Sequence, residues 1–223
     1  MAQPRARRAA RPREEVFAAA RAAIAEYGLA KLTMAGLGKD LQMSAGHLLY
    51  YFGSKDQLLL ETLRWSEEQL GERRRAALTR PDATARERLA SYVELYLPEG
   101  PGDPRWILWV EVWGRSPASA ELRQGQLAIE IPWQADLVGL IESGAATGEF
   151  TPRAAEHGTA ADLGTVAGHG TAAGHGTAAD LATQIRALLD GFAVPIAIGL
   201  PGARREDALG QVASAAAALL GHR

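Results

Sequence analysis

Thirteen residues at positions 43–55, MSAGHLLYYFGSK, concentrate most of the reactive and hydrogen-bonding groups that this chain places close together. They hold Ser44, His47, Tyr50, Tyr51 and Lys55, in a chain with only 6% aromatic residues. A hydroxyl, an imidazole, two phenols and an ammonium group could serve a covalent mechanism or grip a polyanion. Covalent chemistry needs a nucleophile beside a base that a third group orients. Neither that pairing nor a pair of carboxylates stands at a sensible helical spacing, so the cluster reads as a surface built to touch something large. A second collection, His157, His169 and His175, lies in HGTAADLGTVAGHGTAAGHGTAADL at 157–181. Three histidines suggest a metal, but ligands must be held in fixed geometry with a supporting shell. Glycine-flanked repeats offer little of that. GHGTAA also spells a dinucleotide fingerprint, yet no strand precedes it and no βαβ unit surrounds it. HGTAADL recurs at an offset of 18 residues, which marks a duplicated and mobile loop at about 155–176.

The elements that position the first cluster are helices. Val16, Ala20, Ala23, Ile24 and Tyr27 follow the helical period and Gly28 stops it. Thr33 is a good N-cap for a short second helix through about Leu41, and Ser44 for a third to about Tyr51. Gly53 and Ser54 break that helix and start a long fourth one. Further helices are expected at 83–97, 104–115, 118–146 with a kink at Pro132, about 178–199 interrupted near Pro195, and 204–221. Thr177 with Asp180 three residues on makes a capping box for the penultimate helix. No segment alternates as a strand should. The fold class is all-α.

A helix of about fifteen residues, a short helix, a tight turn and another short helix are the parts of a helix-turn-helix. A groove-entering helix must carry small and hydrogen-bonding residues at its N-terminal end, since bulk there would bar entry to the major groove. Ser44, Ala45, Gly46 and His47 have that profile. Leu41, Leu48 and Phe52 recur on the opposite side to hold the helix down. Tyr50 and Tyr51 lie one turn further, where phenols reach phosphates, and Lys55 adds a charge beside a helix N-terminus.

Charge agrees with this. The net charge of −2 conceals 14 Lys and Arg against 9 Asp and Glu over residues 1–80, and 10 against 17 over residues 81–223. A basic front and an acidic rear fit an N-terminal part that meets a polyanion. Arg5, Arg7, Arg8, Arg11 and Arg13 precede any acidic residue, so residues 1–12 read as a disordered basic arm, with Arg8 and Arg11 as DNA contacts. The chain has no cysteine, which excludes disulfides and thiolate sites. No signal-like segment and no long apolar run occurs, so the expected home is the cytoplasm, with no membrane partner. No cofactor is called for.

LTMAGLGKDLQMSAGHLLYYFGSKDQLL resembles the DNA-binding motif of the tetracycline-repressor (TetR) family of bacterial regulators. The family pattern is a threonine, a short helix, and then V-S-x-G-x-L-Y-x-[HY]-F-x-[SN]-K-x-x-L. Thr33, Leu37, Ser44, Gly46, Leu48, Phe52, Ser54, Lys55 and Leu58 fall on it in register, within residues 14–60. The stretch WILWVEVWGRS with QIRALLDGF is similar to the branch with a BetI-type C-terminal domain. The resemblance implies a helix-turn-helix domain at 13–58 and a helical ligand-binding and dimerisation domain at 59–223. It implies a homodimer on a double-stranded DNA operator, released by an unknown small-molecule effector, and no enzyme. It adds Thr33 and Met34 to the DNA-facing set and an arginine arm in the minor groove. Leu49 departs from the pattern by standing where the family carries a phosphate-contacting tyrosine, so Tyr50 or Tyr51 must make up that contact. Trp106, Trp109 and Trp113 at helical spacing are core by default. On a sharper reading they wall a ligand pocket with Tyr92 and Phe150. The rival class is an all-helical enzyme or metal-binding protein using the histidine repeat.

Overall fold

The computed structural model describes residues 13–151 and 177–221, and every regular element among them is helical. Nine α-helices follow in order: α1 Arg13–Tyr27, α2 Met34–Asp40, α3 Ala45–Phe52, α4 Lys55–Leu78, α5 Ala85–Tyr96, α6 Pro104–Arg115, α7 Ala120–Ala146, α8 Ala178–Ala197 and α9 Arg205–Leu220. A short 3₁₀ turn, Ser116–Ala118, joins α6 to α7.

The sequence signals act locally as their chemistry requires. Gly28 closes α1 at φ 76°, a conformation that costs a side chain dearly. The Thr33 and Ser44 hydroxyls accept from the backbone N–H groups of Gly36 and His47, at 3.0 and 3.1 Å. Thr84 with Glu87 and Thr177 with Asp180 form complete capping boxes. Asp103 caps α6 immediately before Pro104, whose missing N–H costs nothing at the first helical position. Pro132 and Pro195 lie inside α7 and α8, each of which remains one helix. The repeat loop expected at 155–176 and the arm at 1–12 lie outside the described residues.

The chain divides into two compact units: Met1–Leu70 with Gly102–Leu127, and Gly71–Pro101 with Ala128–Arg223. α6 groups with the N-terminal helices, across the single boundary expected after residue 58. The reason is specific bonding as well as apolar contact. Glu111 of α6 accepts the Leu29 backbone N–H at 2.8 Å, just beyond the end of α1. Glu67 of α4, itself buried, accepts from the Trp109 indole Nε1–H at 2.8 Å and pairs with Arg105 at 3.4 Å. The first unit's core is formed by Phe17, Ile24, Leu29, Leu48, Phe52, Leu59, Leu63, Trp106 and Leu108. Phe17 meets Phe52 edge-on with centroids 5.8 Å apart.

In the second unit, α5, α7, α8 and α9 contribute Tyr92, Trp133, Leu137, Ile185, Leu189 and Val212 to the core. Polar groups drawn into it are bonded, as burial demands. The Tyr92 hydroxyl donates to the Trp133 carbonyl at 3.0 Å, and the Tyr96 hydroxyl donates to Asp190 at 2.6 Å. Arg205 donates to the carbonyls of Glu94, Leu97 and Pro98 at 2.8–2.9 Å, satisfying the C-terminal end of α5.

Candidate functional site

The helix-turn-helix is built on a turn with little spare space. The Met43 backbone N–H donates to the Gly38 carbonyl at 2.7 Å and that of Gln42 donates to the Lys39 carbonyl at 3.1 Å. A Cβ added to Gly38 would stand 2.7 Å from the Met43 carbonyl oxygen. Gln42 takes φ 56°, the single positive φ among the described non-glycine residues. Together these contacts fix how α3 leaves α2.

Within α3 the buried residues are Leu48 and Phe52, as their spacing predicted. The other face is open. Ser44, Gly46 and His47 are exposed, with Ala45 half-buried behind them. Nothing lies within 4 Å of a Cβ added to Gly46, so the N-terminal end of α3 has room for a close approach. Both tyrosines point outward: Tyr50 is 84% exposed and Tyr51 47%. His47 stacks on Tyr51 with ring centroids 4.9 Å apart and planes inclined by 19°, while Tyr50 meets Tyr51 edge-on at 5.6 Å. These three residues, at i, i+3 and i+4, form one aromatic ridge along the open face of the helix. Leu49 is 44% exposed, so the departure from the family pattern falls on the surface. Thr33 is exposed and Met34 half-buried at the start of α2. Lys55 is half-buried, and its Nζ donates to the Ala30 carbonyl at 3.4 Å, which holds the ammonium beside the loop between α1 and α2. Arg8 and Arg11 lie outside the described residues. The exposed Lys31 and Lys39 add positive charge to the same unit. Sequence reasoning passed over them because single lysines carry no spacing signal.

Trp106 and Trp109 are buried in the first unit, and Trp113 is half-buried there. Their rings pack on one another, with centroids 5.8 Å apart for Trp106 and Trp113 and 5.7 Å for Trp109 and Trp113. The indole N–H of Trp109 is already taken by Glu67. These tryptophans pack as core, and none of them lines the cavity described below. Tyr92 is fully buried against Trp133 at 5.3 Å and Tyr96 at 5.9 Å. Burial pushes the phenols of Tyr92 and Tyr96 well above the ordinary tyrosine range. Burial also raises the Asp190 carboxyl, against the opposing effects of the Tyr96 hydroxyl and Arg186. The open faces of this aromatic group carry the chain's own cations. The Arg74 guanidinium sits 4.2 Å from the Trp133 centroid and Arg186 6.0 Å from that of Tyr96.

Of the expected pocket residues, Phe150 lines a cavity of about 390 Å³ between α5 and α9 in the second unit. Leu89 and Val93 line it from α5, and Leu209, Ala213 and Ala217 from α9. These were missed because alanine and leucine at helical spacing look like ordinary packing. Among the described residues no group of three His, Cys, Asp or Glu is placed to hold a metal. The three loop histidines lie outside them. No described helix is long and apolar enough to cross a membrane.

Comparison with known proteins finds two family matches along the chain. Residues 16–62 match the family described as bacterial regulatory proteins of the tetR family, and residues 85–171 match the C-terminal domain of BetI-type transcriptional repressors. The chain is 31% identical over 113 residues to the HTH-type transcriptional regulator BetI of Agrobacterium fabrum, an alignment covering 50% of this chain and 54% of that one. The match thus spans about half the length of that relative. A transcriptional regulator from Saccharomonospora viridis, solved in complex with choline, superposes with a TM-score of 0.72 at 25% identity, covering 91% of this chain and 93% of its own. A TetR-family regulator from Rhodococcus superposes at 0.66 and 20% identity, over 94% and 98% of the two chains, a likeness of fold.

Proposed function

This chain belongs to the TetR family of bacterial regulatory proteins, with a C-terminal part of the BetI type, and we propose that it is a homodimeric, ligand-responsive repressor of transcription. The observation that carries this reading is the open face of α3. Its first turn is small and capped, its exposed side bears the His47, Tyr50 and Tyr51 ridge, and its other side is locked by Leu48 and Phe52. Such a helix can enter a major groove, with Ser44, Ala45, Gly46 and His47 against base edges and phosphates. Tyr50 and Tyr51 replace the contact that Leu49 cannot make. Thr33 and Met34 approach from α2, Lys55 adds a charge beside the backbone, and Arg8 and Arg11 reach the minor groove.

Two copies would read two half-sites about 34–36 Å apart, as two-fold symmetry demands. The surfaces that suit pairing are the outward sides of α8 and α9. There Ala187, Gly191, Gly210, Ser214 and Ala218 are exposed and small enough for helices to approach closely. A ligand that prefers one arrangement of the dimer lowers DNA affinity through linkage. A cation such as choline, held by the Saccharomonospora relative, would compete in the Tyr96 and Trp133 group with Arg186 and Arg74, which lie over those rings.

A mobility-shift assay on the DNA upstream of the gene tests the proposal. Specific retardation at low salt is expected, with His47→Ala changing the sequence preference. Lys55→Ala should weaken all sites and flatten the salt dependence. No specific retardation by a confirmed dimer would overturn the reading.

A further inference from the structure

The cavity between α5 and α9 has three properties that together define an occupant. Its first property is length. Along α5 the lining runs from Arg86 to Glu94, a rise of eight residue steps or roughly 12 Å at 1.5 Å per residue. Along α9 it runs from Leu209 to Leu220, longer still. The space is a trough, suited to a chain-like molecule.

Its second property is that the walls are apolar and leave no polar debt. Leu89, Val93, Phe150 and the alanines of α9 form them. Of the buried side-chain polar atoms that lack a partner among the described residues, none belongs to a lining residue. The two lining charges stand at the ends in exposed residues, and each has opposite charge or donors nearby. At one end the Glu149 carboxylate accepts the Ala85 and Arg86 backbone N–H groups at 2.8 and 3.5 Å, beside Arg86. At the other, Arg205 donates to the Glu94 carbonyl at 2.8 Å. Between these ends the walls offer no buried polar group to pair with a charge, so an uncharged molecule fits the trough best.

Its third property is that the shape is held open by construction. Gly144 lets Phe150 lie where a Cβ would stand 2.2 Å from the ring. Gly221, at φ 68°, lets the end of α9 meet Thr151, whose N–H donates to the Leu220 carbonyl at 2.8 Å. Those two glycines fix one end wall. Ala213, Ala216 and Ala217 leave volume that leucines would fill, and an empty apolar space forfeits the dispersion contacts of its lining. At about 390 Å³ it lies within the range of small-molecule sites.

We propose that the α5–α9 cavity binds a neutral, linear hydrocarbon molecule of medium chain length. The site is distinct from the α3 surface, and its test does not depend on DNA. Binding of 1-decanol, decanoate and decylammonium to the full chain is measured by isothermal titration calorimetry, with thermal denaturation alongside. Decanol binds saturably and tightest of the three, and raises the melting temperature. Ala213→Leu and Ala217→Phe, which fill the trough from two places, weaken decanol binding by about tenfold or more while keeping helical circular dichroism. Unaltered affinity in both variants overturns the location. Tighter binding of either ion overturns the assigned class, and absence of saturable binding overturns the site.

Discussion

Replacing Gly38 with alanine sets two effects of known sign against each other. Gly38 lies in α2, where alanine should stabilise the helix by about 0.5–1 kcal/mol through backbone entropy. The new Cβ, however, stands 2.7 Å from the Met43 carbonyl oxygen, with the Ser44 carbonyl carbon and the Ala45 nitrogen both at 3.4 Å. All three are backbone atoms of the turn, so no side-chain rotation relieves the contact. Overpacking of this kind costs about 1–3 kcal/mol, and the larger value applies if the Met43 N–H to Gly38 bond is also strained. The expected net loss is about 1–2 kcal/mol, or roughly 2–8 °C in melting temperature for a chain of this size. More telling is the DNA measurement. Because the clash pushes on the start of α3, operator affinity should fall further than the unfolded fraction explains. Gly46→Ala is the matched control: its Cβ meets nothing within 4 Å, so stability rises by up to about 1 kcal/mol. It nonetheless weakens DNA binding by placing a methyl at the groove-facing end. Thermal denaturation and mobility shift on the same preparations decide. A Gly38→Ala protein as stable as wild type, with unchanged operator affinity, would show that this turn does not set the position of α3.

Other substitutions probe the two units separately. Glu67→Ala strands the Trp109 indole and removes the partner of Arg105, and should cost about 3–5 kcal/mol. Glu67→Gln, which keeps an acceptor for the indole, should cost clearly less by chemical denaturation. Gln42→Gly removes a side chain from φ 56° and should gain roughly 0.5–1 kcal/mol in the same assay, the strain relieved exceeding the entropy added to the unfolded chain. For Asp190 the folded carboxyl is raised above its ordinary 3.8, so the folded state binds more protons than the unfolded state above that pH. Its contribution is therefore full below about pH 3.8 and declines as pH rises through the raised value. Asp190→Asn should flatten that decline in a pH series of melting temperatures, and an unchanged slope would refute the assignment.

The elements and the α3 face were legible because their signals are local. Thr33, Ser44, Thr84 and Thr177 cap helices whatever lies beyond them, and Leu48 with Phe52 could face only one way once the period was recognised. The exposure of both tyrosines was not legible in the same way, since an aromatic residue near a core can turn inward. The tryptophans left two readings open for a different reason. Three large aromatics on one helix advertise burial, but not whether a ligand or a neighbouring ring provides it; the Glu67 carboxylate that binds Trp109 comes from 42 positions away. The α5–α9 cavity was invisible because it is made by what alanines omit. A missing volume leaves no residue type to find. The packing of α6 beside α1 was not legible, since nothing near residue 58 announces that return.

That return has a bearing on how the protein is made. A ribosome delivers Arg13–Phe52 long before Glu111 and Trp109, so the emerging motif waits for some sixty residues with the Leu29 N–H and the Glu67 carboxylate lacking their final partners. An N-terminal fragment ending near residue 70 would be in that condition permanently. The bonds that tie α6 to the end of α1 and to α4 thus form only when translation has passed α6.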